Sequence, residues 1–369
     1  MKIGILTWHK VLNHGAVLQA YALQSYLESL GYEVVLLNYD RVVPLNSHLL
    51  HRISCIPAKI KRILNGTDNV LKSFRKEKQL LFSIFREQYI NEGGYYDKEL
   101  SLDMVFIGSD QVFDILSGYN SYMFGENVLA DKICAYAPCA AQTTYTIINN
   151  SKYANEITKN IKRFTYLSAR DKNTKDLLQY LRPELNIPIV VDPVLLYGFY
   201  NELKDWKYDN FLLKKKYVVV YAYQTYLDSK EEIEPIIKYA RNNNCIIVAL
   251  GYYHPWCDIS INASPAEFLY IMNNAVKVIT DTFHGTVFSL ICNTDFCAII
   301  RPSNIGNSNK LGCLISQFKL EVIVAKSGNE IFQILNTPVN WTEVNNLIDI
   351  YRKDSHRYIK QCLCDNLTK

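Results

Sequence analysis

Short apolar runs alternate with amphipathic segments along most of the chain, and this alternation constrains the fold more than any other feature. The chain opens with an apolar run at 2–7, a polar turn and an amphipathic segment at 16–30, and a second apolar run follows at 33–38. Gly31 stands where a helix end usually has its glycine. Strand, helix and strand in this order predict the start of a parallel, doubly wound sheet.

The same alternation continues through the rest of the chain. With 369 residues the chain is too long for one ordinary hydrophobic core. The stretch 193–216 is polar and mixed, and it predicts a linker between two α/β series. We therefore expect an N-terminal domain over 1–197 and a C-terminal domain over 198–369, the second ending in a helix at 341–362. Further buried strands are predicted at 104–107, 133–136, 166–169, 189–191, 217–222, 246–250, 276–280, 297–300 and 320–324.

Composition argues against several classes of protein. The net charge of +4 is too small to indicate nucleic-acid binding. None of the ten cysteines stands in a CxxC pair, so we expect reduced thiols and no metal site. No apolar run has the length of a transmembrane helix, and the first residues enter a strand directly instead of forming a signal peptide. We therefore expect a cytoplasmic protein with no nucleic-acid partner.

The segment 49–89 differs in charge from the rest of the chain. It holds nine Lys and Arg residues against three Asp and Glu residues, a net charge of +6, whereas the remaining residues sum to −2. Interleaved apolar residues predict two or three helices with a basic face, inserted into the first domain. The insertion could be an ordinary solvated surface. It could equally rest on anionic lipid headgroups at the inner face of a membrane, as a peripheral contact.

The stretch 275–291 contains more candidate catalytic and ligand-binding residues than any other part of the chain. Its sequence, AVKVITDTFHGTVFSLI, predicts a buried strand, a tight polar turn and a helix N-terminus. Free backbone N–H groups and the helix dipole make such a terminus suitable for an anion. His284 could then be a proton donor or a phosphate ligand, with Gly285 leaving room for close approach. Asp281 and Thr282 could equally be ordinary helix caps.

Polar side chains also follow the predicted strands of the first domain. Open α/β sheets bind ligands outside the carboxyl ends of their strands. The first turn lacks the GxGxxG pattern, which argues against a dinucleotide site. Asp110 could cap a helix or hold a ligand hydroxyl, and the histidines could be surface loop residues. The side chains at these strand ends are His9, Asn13, His14, Ser109, Asp110 and Gln111.

Arg170 follows another of these strands, 166–169. A guanidinium group binds carboxylate or phosphate through a fixed fork of N–H donors, so Arg170 is a candidate anion ligand. The alternative is a surface ion pair, for example with Asp171.

The ordered set of motifs resembles the polysaccharide pyruvyl transferases. Together the matching pieces span about residues 3 to 320 and stand in the family's order. They are GILTWHKVLNHGAVLQAYALQSYLESLGY, FIGSDQVFD, SARDKNT, VVDPVLL and NNAVKVITDTFHGTVFSLI.

The resemblance implies a fold and an activity. It implies two Rossmann-like α/β domains facing across a cleft, as in the GT-B glycosyltransferases. Family members transfer the pyruvyl group of phosphoenolpyruvate to two hydroxyls of one sugar, which forms a cyclic ketal and acidifies a capsule, exopolysaccharide or cell-wall glycan. The expected partners are phosphoenolpyruvate, as co-substrate without a further cofactor, and a sugar or lipid-linked oligosaccharide acceptor.

The resemblance also assigns roles to residues. His284 would be the acid or phosphate ligand, with Asp281 orienting it. Some members have an arginine where this chain has Thr282, so Arg301 or Lys310 would replace that cation. The second domain would bind the donor and the first the acceptor. The donor residues would be Arg170, His284, Gly285 and Thr286, the last two through backbone N–H groups, and the acceptor residues would be His9, Asn13, His14, Ser109, Asp110 and Gln111.

Two other functions remain open at this stage. A glycosyltransferase that uses a nucleotide sugar could have the same fold, because fold does not fix function. A non-catalytic glycan-binding protein is the third alternative, against which the presence of Arg170 and His284 argues.

Overall fold

Each half of the chain forms a parallel sheet with helices on its faces. The computed structural model describes residues 1–39, 67–95, 101–209, 214–223, 227–300 and 308–364. The first sheet has the strand order β3-β2-β1-β4-β5-β6, and every neighbouring pair is parallel. Its strands are β1 (Lys2–Leu6), β2 (Glu33–Asn38), β3 (Glu92–Tyr95), β4 (Leu102–Ile107), β5 (Ala130–Ala135) and β6 (Phe164–Leu167).

The second sheet repeats this topology. Its order is β12-β11-β10-β7-β8-β9, again parallel throughout. In both sheets the strand order reverses beside the first strand, as in doubly wound folds. The predicted pair of Rossmann-like domains is therefore confirmed. The strands are β7 (Tyr217–Tyr221), β8 (Ile246–Leu250), β9 (Ile259–Ile261), β10 (Lys277–Thr280), β11 (Phe296–Ile299) and β12 (Val324–Ala325).

Helices connect these strands and cover both sheets. In the first half they are α1 (His14–Ser29), α2 (Thr67–Tyr89), α3 (Tyr145–Asn149), α4 (Ala154–Ile161), α5 (Lys172–Leu181), α6 (Pro193–Tyr197) and α7 (Glu202–Asp205). In the second half they are α8 (Lys230–Asn242), α9 (Pro265–Asn273), α10 (Phe283–Cys292), α11 (Ser308–Gln317), α12 (Gly328–Leu335) and α13 (Trp341–Cys364). Among the described residues, every helix is too short or too polar to span a membrane.

Helix α1 lies between the two domains and not on the surface. Asn13 caps its start by accepting a hydrogen bond from the backbone N–H of Ala16 at 3.2 Å, and Gly31 follows its end with a φ of +88°. Most of its residues are buried because the helix packs against β2, α6 and the second domain's α9. It therefore brings its N-terminus from the carboxyl end of β1 to the domain boundary.

The stretch predicted as a linker contains two short helices, α6 and α7. Asp192 caps α6, and Pro193 takes the first helical position, where its missing N–H costs nothing. The apolar side chains at 194–196 are buried against α1, α10 and α13. This burial stabilises α6, although the average composition of the stretch is typical of a loop.

Two helices cross between the domains. The last helix, α13, packs on the first domain, where the hydroxyl of Tyr358 donates a hydrogen bond to the carbonyl oxygen of Ala135 at 2.8 Å. In the other direction, Lys78 on α2 donates to the carbonyl oxygen of Gly251 in the second domain at 2.9 Å. The two domains are thus joined by packed helices as well as by the connecting chain.

Some predictions of secondary structure were wrong. The stretch 189–191 forms only an isolated bridge to Ala169, and the remaining strand of the first sheet is β3. The stretch 320–324 begins as a 3₁₀ helix, Glu321–Ile323, before the short β12. For the basic segment the structure describes one helix, α2, and residues 49–66 lie outside the described residues.

Candidate active site

A buried ion cluster lies where the two domains meet. Asp192 is buried, and its Oδ2 lies 2.9 Å from Nη1 of Arg170 and 3.5 Å from Nε2 of His284. Arg170 and Asp192 belong to the first half of the chain, whereas His284 follows β10 in the second half. One carboxylate therefore joins a guanidinium and an imidazole across the domain boundary. These three residues are called the interdomain cluster below.

Asp192 is held in place by the start of α6. Its Oδ1 accepts a hydrogen bond from the backbone N–H of Val194 at 3.0 Å, so the same carboxylate caps the helix. Burial alone would raise the pKa of Asp192, but the contact with His284 at 3.5 Å and the charge of Arg170 outweigh burial and lower the pKa to about 2. The carboxylate is therefore ionised near neutral pH and attracts positive charge to its neighbours.

Arg170 still has N–H groups to offer a ligand. Its Nη2 lies 3.6 Å from Oδ1 of Asp110, and its guanidinium carbon lies 4.1 Å from the ring centre of Phe283. The atoms Nε and Nη2 are shielded from solvent and have no hydrogen-bond acceptor among the described residues. Because a buried N–H without an acceptor costs free energy, this pair of nitrogens is suited to a carboxylate or phosphate.

His284 lies in the first turn of α10. Thr282 caps this helix, because its Oγ1 accepts a hydrogen bond from the backbone N–H of Gly285 at 2.9 Å. The cap is not Asp281, whose Oδ1 instead accepts a hydrogen bond from the backbone N–H of Tyr223 at 3.1 Å. The carboxylate 3.5 Å from the imidazole Nε2 is that of Asp192. A carboxylate that orients His284 is therefore present, but it comes from the other half of the chain.

The predicted backbone donors Gly285 and Thr286 already donate within the turn. The N–H of Gly285 bonds the Thr282 side chain, and that of Thr286 bonds the Thr282 carbonyl oxygen at 3.3 Å. The first two helical residues, Phe283 and His284, have no intrahelical acceptor for their N–H groups, as at any helix start. Together with the positive end of the helix dipole, they form the anion-binding end of α10.

The ring of His284 rests directly on the first domain. A methyl group added to Gly15, in the first turn of α1, would lie 2.2 Å from Cγ and Nδ1 of His284. Gly285 is equally confined, since an added methyl group would lie 2.1 Å from Oγ1 of Thr280. Only glycine allows these close approaches. As a result, the N-termini of α1 and α10 meet at one imidazole.

Lys310 belongs to the same electrostatic environment. Burial lowers the pKa of Lys310, and its charge interacts with Cys139, Arg170 and Asp110. It is therefore a second cation near the interdomain cluster. The other cation predicted for the donor, Arg301, lies outside the described residues. Among the described residues, no group of three His, Cys, Asp or Glu side chains is arranged to hold a metal ion.

Ser109 is part of a buried network that shapes the ends of β1 and β4. Its Oγ donates a hydrogen bond to the carbonyl oxygen of Ala137 at 2.7 Å and lies 3.4 Å from Oδ2 of Asp192. Its backbone N–H donates to Oε1 of Gln19 at 3.2 Å, and its carbonyl oxygen accepts from Oγ1 of Thr7 at 3.0 Å. Ser109 therefore positions the turn that presents Asp110.

His14 is buried at the domain boundary, away from any open surface. Its Nε2 lies 3.0 Å from the carbonyl oxygen of Ala263 in the second domain. Its ring stacks on Phe268 at 4.3 Å and meets Phe82 edge-on at 4.8 Å. His14 thus contributes to the contact between the domains. The structure does not place it in an open site where it could contact an acceptor sugar.

We expect acid to destabilise the protein through its buried histidines. Burial, and then the charge of Lys78, lower the pKa of His14 well below its usual value, and burial lowers the pKa of His9 to about 4. The unfolded chain takes up these protons near pH 6.5 and the folded chain does not, so the free energy of unfolding falls as pH drops from 6.5 toward 5. Each histidine contributes up to about 1.4 kcal/mol per pH unit.

Urea unfolding at pH 7, 6 and 5 measures this slope. His14→Gln retains a side-chain donor for Ala263 but cannot titrate, so its slope should be smaller by up to about 1.4 kcal/mol per pH unit. A slope equal to that of the wild type would contradict the assignment of a neutral His14.

An open cavity lies beside the interdomain cluster, in the first domain. It has a volume of about 810 Å³. Of the predicted acceptor residues, Asn13, Asp110 and Gln111 line it, while His9 is buried with its Nδ1 3.1 Å from the carbonyl oxygen of Thr7. The lining residues also include Trp8, Lys10, Tyr39, Arg75, Gln79, Arg86 and Asp114.

Comparison with known families agrees with this geometry. The sequence model of the polysaccharide pyruvyl transferases matches residues 13–303, which contain the whole interdomain cluster. The chain belongs to the polysaccharide pyruvyl transferase family. Comparison with curated proteins finds no match.

Solved structures resemble the chain in fold. A putative UDP-N-acetylglucosamine 2-epimerase from Listeria monocytogenes is 10% identical, with a TM-score of 0.51 over 98% of this chain and 90% of that one. The Neisseria meningitidis UDP-GlcNAc 2-epimerase is 11% identical (TM-score 0.48, 99% and 100% covered), and E. coli heptosyltransferase WaaC is 13% identical (TM-score 0.42, 95% and 100% covered). The Listeria structure, with the two sheet topologies, shows a GT-B-like fold of two Rossmann-like domains facing across a cleft.

The sequence analysis did not predict one member of the interdomain cluster. Asp192 stands in the VVDPVLL motif, directly after the predicted strand 189–191, and it was not among the predicted site residues. An Asp-Pro pair typically caps a helix, which Asp192 does, and nothing local indicates its contacts with Arg170 and His284. The available signal was its place in a motif shared with the family. The cavity residues on α2 were also missed, because their charges were interpreted as a surface.

Proposed function

We propose that this member of the family transfers the pyruvyl group of phosphoenolpyruvate to two hydroxyls of one sugar, forming a cyclic ketal and releasing phosphate. The observation that carries the proposal is the interdomain cluster. It places two guanidinium nitrogens of Arg170 that have no hydrogen-bond acceptor among the described residues near an imidazole at a helix N-terminus. Phosphoenolpyruvate has a carboxylate, a phosphate and a methylene carbon that must be protonated, and the cluster offers a group for each.

The reaction can be written with these residues in named roles. Arg170 binds one anionic group of the donor, and the N-terminus of α10 lies against another. Protonated His284 gives its proton to the methylene carbon, which leaves an oxocarbenium-like centre at the neighbouring carbon. The first sugar hydroxyl adds there and loses its proton. The C–O bond to phosphate then breaks, and the second hydroxyl closes the ketal as it loses its proton.

Asp192 supports both steps without touching the substrate. Its carboxylate lies 3.5 Å from the imidazole of His284, and its ion pair with Arg170 keeps the guanidinium oriented toward the donor. Asn13, Asp110 and Gln111 would hold the acceptor in the adjoining cavity, with Asp110 reaching the cluster through its 3.6 Å contact with Arg170. The acceptor is a sugar or a lipid-linked oligosaccharide, and no further cofactor is needed.

The described part of the basic segment, α2, makes specific contacts with protein. Lys78 donates a hydrogen bond to Gly251 in the second domain, and Arg75 and Arg86 line the cavity. Peripheral contact with anionic lipid, at the inner face of a membrane in the cytoplasm, stays a prediction for the basic segment.

Thermal stabilisation by phosphoenolpyruvate tests the proposal. At 100 times its Kd, a ligand that binds only the folded state adds about 2.7 kcal/mol of stability. We expect a rise in Tm with phosphoenolpyruvate for the wild type and for Arg241→Gln, which removes an exposed arginine of α8. Arg170→Gln should abolish the rise. A rise with a nucleotide sugar and none with phosphoenolpyruvate would contradict pyruvyl transfer and favour a glycosyltransferase.

A further inference from the structure

A second cavity lies where α13 meets α1 and α6, and its lining contains no residue of the interdomain cluster. Its volume of about 540 Å³ is in the usual range for small-molecule sites. Tyr26 of α1 and Leu196 of α6 contribute to its lining. The other described lining residues are all basic side chains of α13, namely Arg352, Lys353, His356, Arg357 and Lys360.

Helical periodicity places these five basic side chains in two adjacent rows. Positions 352, 356 and 360 are separated by four residues each, as are positions 353 and 357. From 352 to 360 the helix rises about 12 Å, at about 1.5 Å per residue. The buried side chains of the same stretch, Ser355, Tyr358 and Ile359, project from another face of the helix. The basic rows therefore lie away from the core, on the side of the cavity.

Positive charge exceeds negative charge along this part of α13. Two of its four Lys and Arg side chains pair with carboxylates of the same helix, Arg352 with Asp349 and Arg357 with Asp354, each at 3.1 Å. The two lysines have no ion pair among the described residues. Four permanent cations against two carboxylates leave about two positive charges, and no described lining residue is an Asp or Glu.

The stability of α13 does not explain this arrangement. Like charges four residues apart on a helix repel each other, and Lys353 and Arg357 form such a pair. The helix dipole favours cations only in the last turn, and the last turn of α13 contains no basic residue. An anion in the cavity would relieve the repulsion between the rows.

Two of the basic groups are held in place by protein. Nε of Arg352 donates a hydrogen bond to the carbonyl oxygen of Leu195 at 2.9 Å, and its Nη1 donates to the hydroxyl of Tyr200 at 2.7 Å. Nδ1 of His356 forms a hydrogen bond with the hydroxyl of Tyr26. Because these side chains are already ordered, a ligand that binds them pays less conformational entropy.

The cavity is separate from the interdomain cluster but lies on the helices that hold it. Leu196 belongs to α6, which Asp192 caps. The backbone N–H of Val191, directly before Asp192, donates a hydrogen bond to Oγ of Ser355 on α13 at 3.0 Å. A ligand in the cavity would therefore contact both helices that position this carboxylate.

We propose that this cavity binds a soluble anion with two linked phosphate groups, such as pyrophosphate or a nucleoside diphosphate. About two net positive charges, spread along about 12 Å of helix, suit two phosphate groups better than one, because each group meets cations of a different turn. Tyr26 and Leu196 add a small apolar surface beside the cations. The site is distinct from the proposed donor and acceptor sites, and it does not depend on pyruvyl transfer.

Calorimetric titration of pyrophosphate, ADP and UDP tests the site. At an ionic strength of about 0.15 M, exposed charges more than about 8 Å apart are largely screened, so weak and diffuse binding is suppressed. We expect the wild type to bind at least one diphosphate more tightly than inorganic phosphate. Lys353→Gln/Arg357→Gln removes two exposed cations and should weaken this binding about 10- to 100-fold.

A matched control removes one lysine and one arginine from another helix. Lys230 and Arg241 are exposed on α8, so Lys230→Gln/Arg241→Gln should bind diphosphates as the wild type does. Equal weakening in both double variants would overturn the proposal, because it would indicate a general charge effect. Inorganic phosphate binding as tightly as every diphosphate, or no diphosphate binding at all, would also overturn it.

A variant of the interdomain cluster separates this site from the proposed donor site. Folded Arg170→Gln should bind diphosphates as the wild type does, because Arg170 does not line the cavity on α13. Binding that is lost in Arg170→Gln and kept in Lys353→Gln/Arg357→Gln would place the anion in the interdomain cluster and overturn the proposal. If the wild type binds diphosphate but phosphoenolpyruvate does not raise its Tm, the cavity stands and the proposed donor fails.

An anionic membrane is the other source of phosphate groups for this face of α13. Sedimentation with vesicles of phosphatidylserine and phosphatidylcholine would be compared for the wild type and Lys353→Gln/Arg357→Gln. We expect the two proteins to sediment alike. Sedimentation that depends on Lys353 and Arg357, without binding of soluble diphosphates, would overturn the proposal in favour of a membrane contact.

Discussion

Replacing His284 with glutamine is expected to lower kcat/KM for ketal formation by about 10²- to 10⁴-fold, the usual contribution of a general acid. Glutamine can still donate a hydrogen bond toward Asp192, whose Oδ2 lies 3.5 Å from the imidazole, but it cannot deliver a proton to carbon. Release of phosphate from phosphoenolpyruvate in the presence of acceptor measures the loss. Binding of phosphoenolpyruvate should change much less, because Arg170 remains.

A second buried histidine provides the control for this experiment. His254 lies in the same domain, with its Nε2 3.0 Å from the carbonyl oxygen of Ala222. His254→Gln preserves a side-chain donor at that position and should leave kcat/KM within about threefold of the wild type. A folded His284→Gln protein with wild-type kcat/KM would rule out His284 as the acid.

Removing the carboxylate of Asp192 should cost about 3–5 kcal/mol of folding stability, the usual effect of breaking a buried ion pair. Asp192→Ala leaves Arg170 buried with Asp110 at 3.6 Å as its remaining anionic contact, and it also removes the cap of α6. Asp192→Asn keeps a capping side chain for α6. Its free energy of unfolding should therefore be about 1 kcal/mol higher than that of Asp192→Ala. Urea unfolding measures each difference.

An exposed ion pair gives the matched comparison. Asp176 lies 2.7 Å from Lys172, and its side chain is 59% exposed. Asp176→Asn should change the free energy of unfolding by at most about 1 kcal/mol. If Asp192→Asn were as mild as Asp176→Asn, the buried charges of the interdomain cluster would not stabilise the fold as expected. Asp192→Asn should also lower kcat, since the proposed acid His284 loses the carboxylate that lies 3.5 Å from its imidazole.

Most strands could be predicted because buried parallel strands are continuous apolar runs. Residues 33–38 were predicted and observed as β2 with the same ends. Strand β3, with the sequence EGGY, could not be predicted, because two glycines oppose strand formation and only its pairing with β2 stabilises it. The run 189–191 has the composition of a strand but bridges only Ala169, and no local pattern distinguishes these outcomes.

The candidate site was predictable where local chemistry defines it. Arg170 and His284 each follow a strand, and strand ends in such sheets form ligand sites. Asp192 was not predictable as their partner, because its contacts join two halves of the chain. His14 looks exposed in its polar turn, yet the second domain buries it against Phe268. Contacts between domains account for both differences.

The contact between Gly15 and His284 has a consequence for how such proteins can be recombined. The imidazole that we assign to the chemistry is seated on the backbone of the other domain, with no space for one methyl group. A chimera that joins this first domain to the second domain of a relative would keep every side chain of both halves. It would still be inactive if the relative's histidine met the α1 turn even an ångström away. The two halves must therefore be inherited, exchanged and engineered as a matched pair.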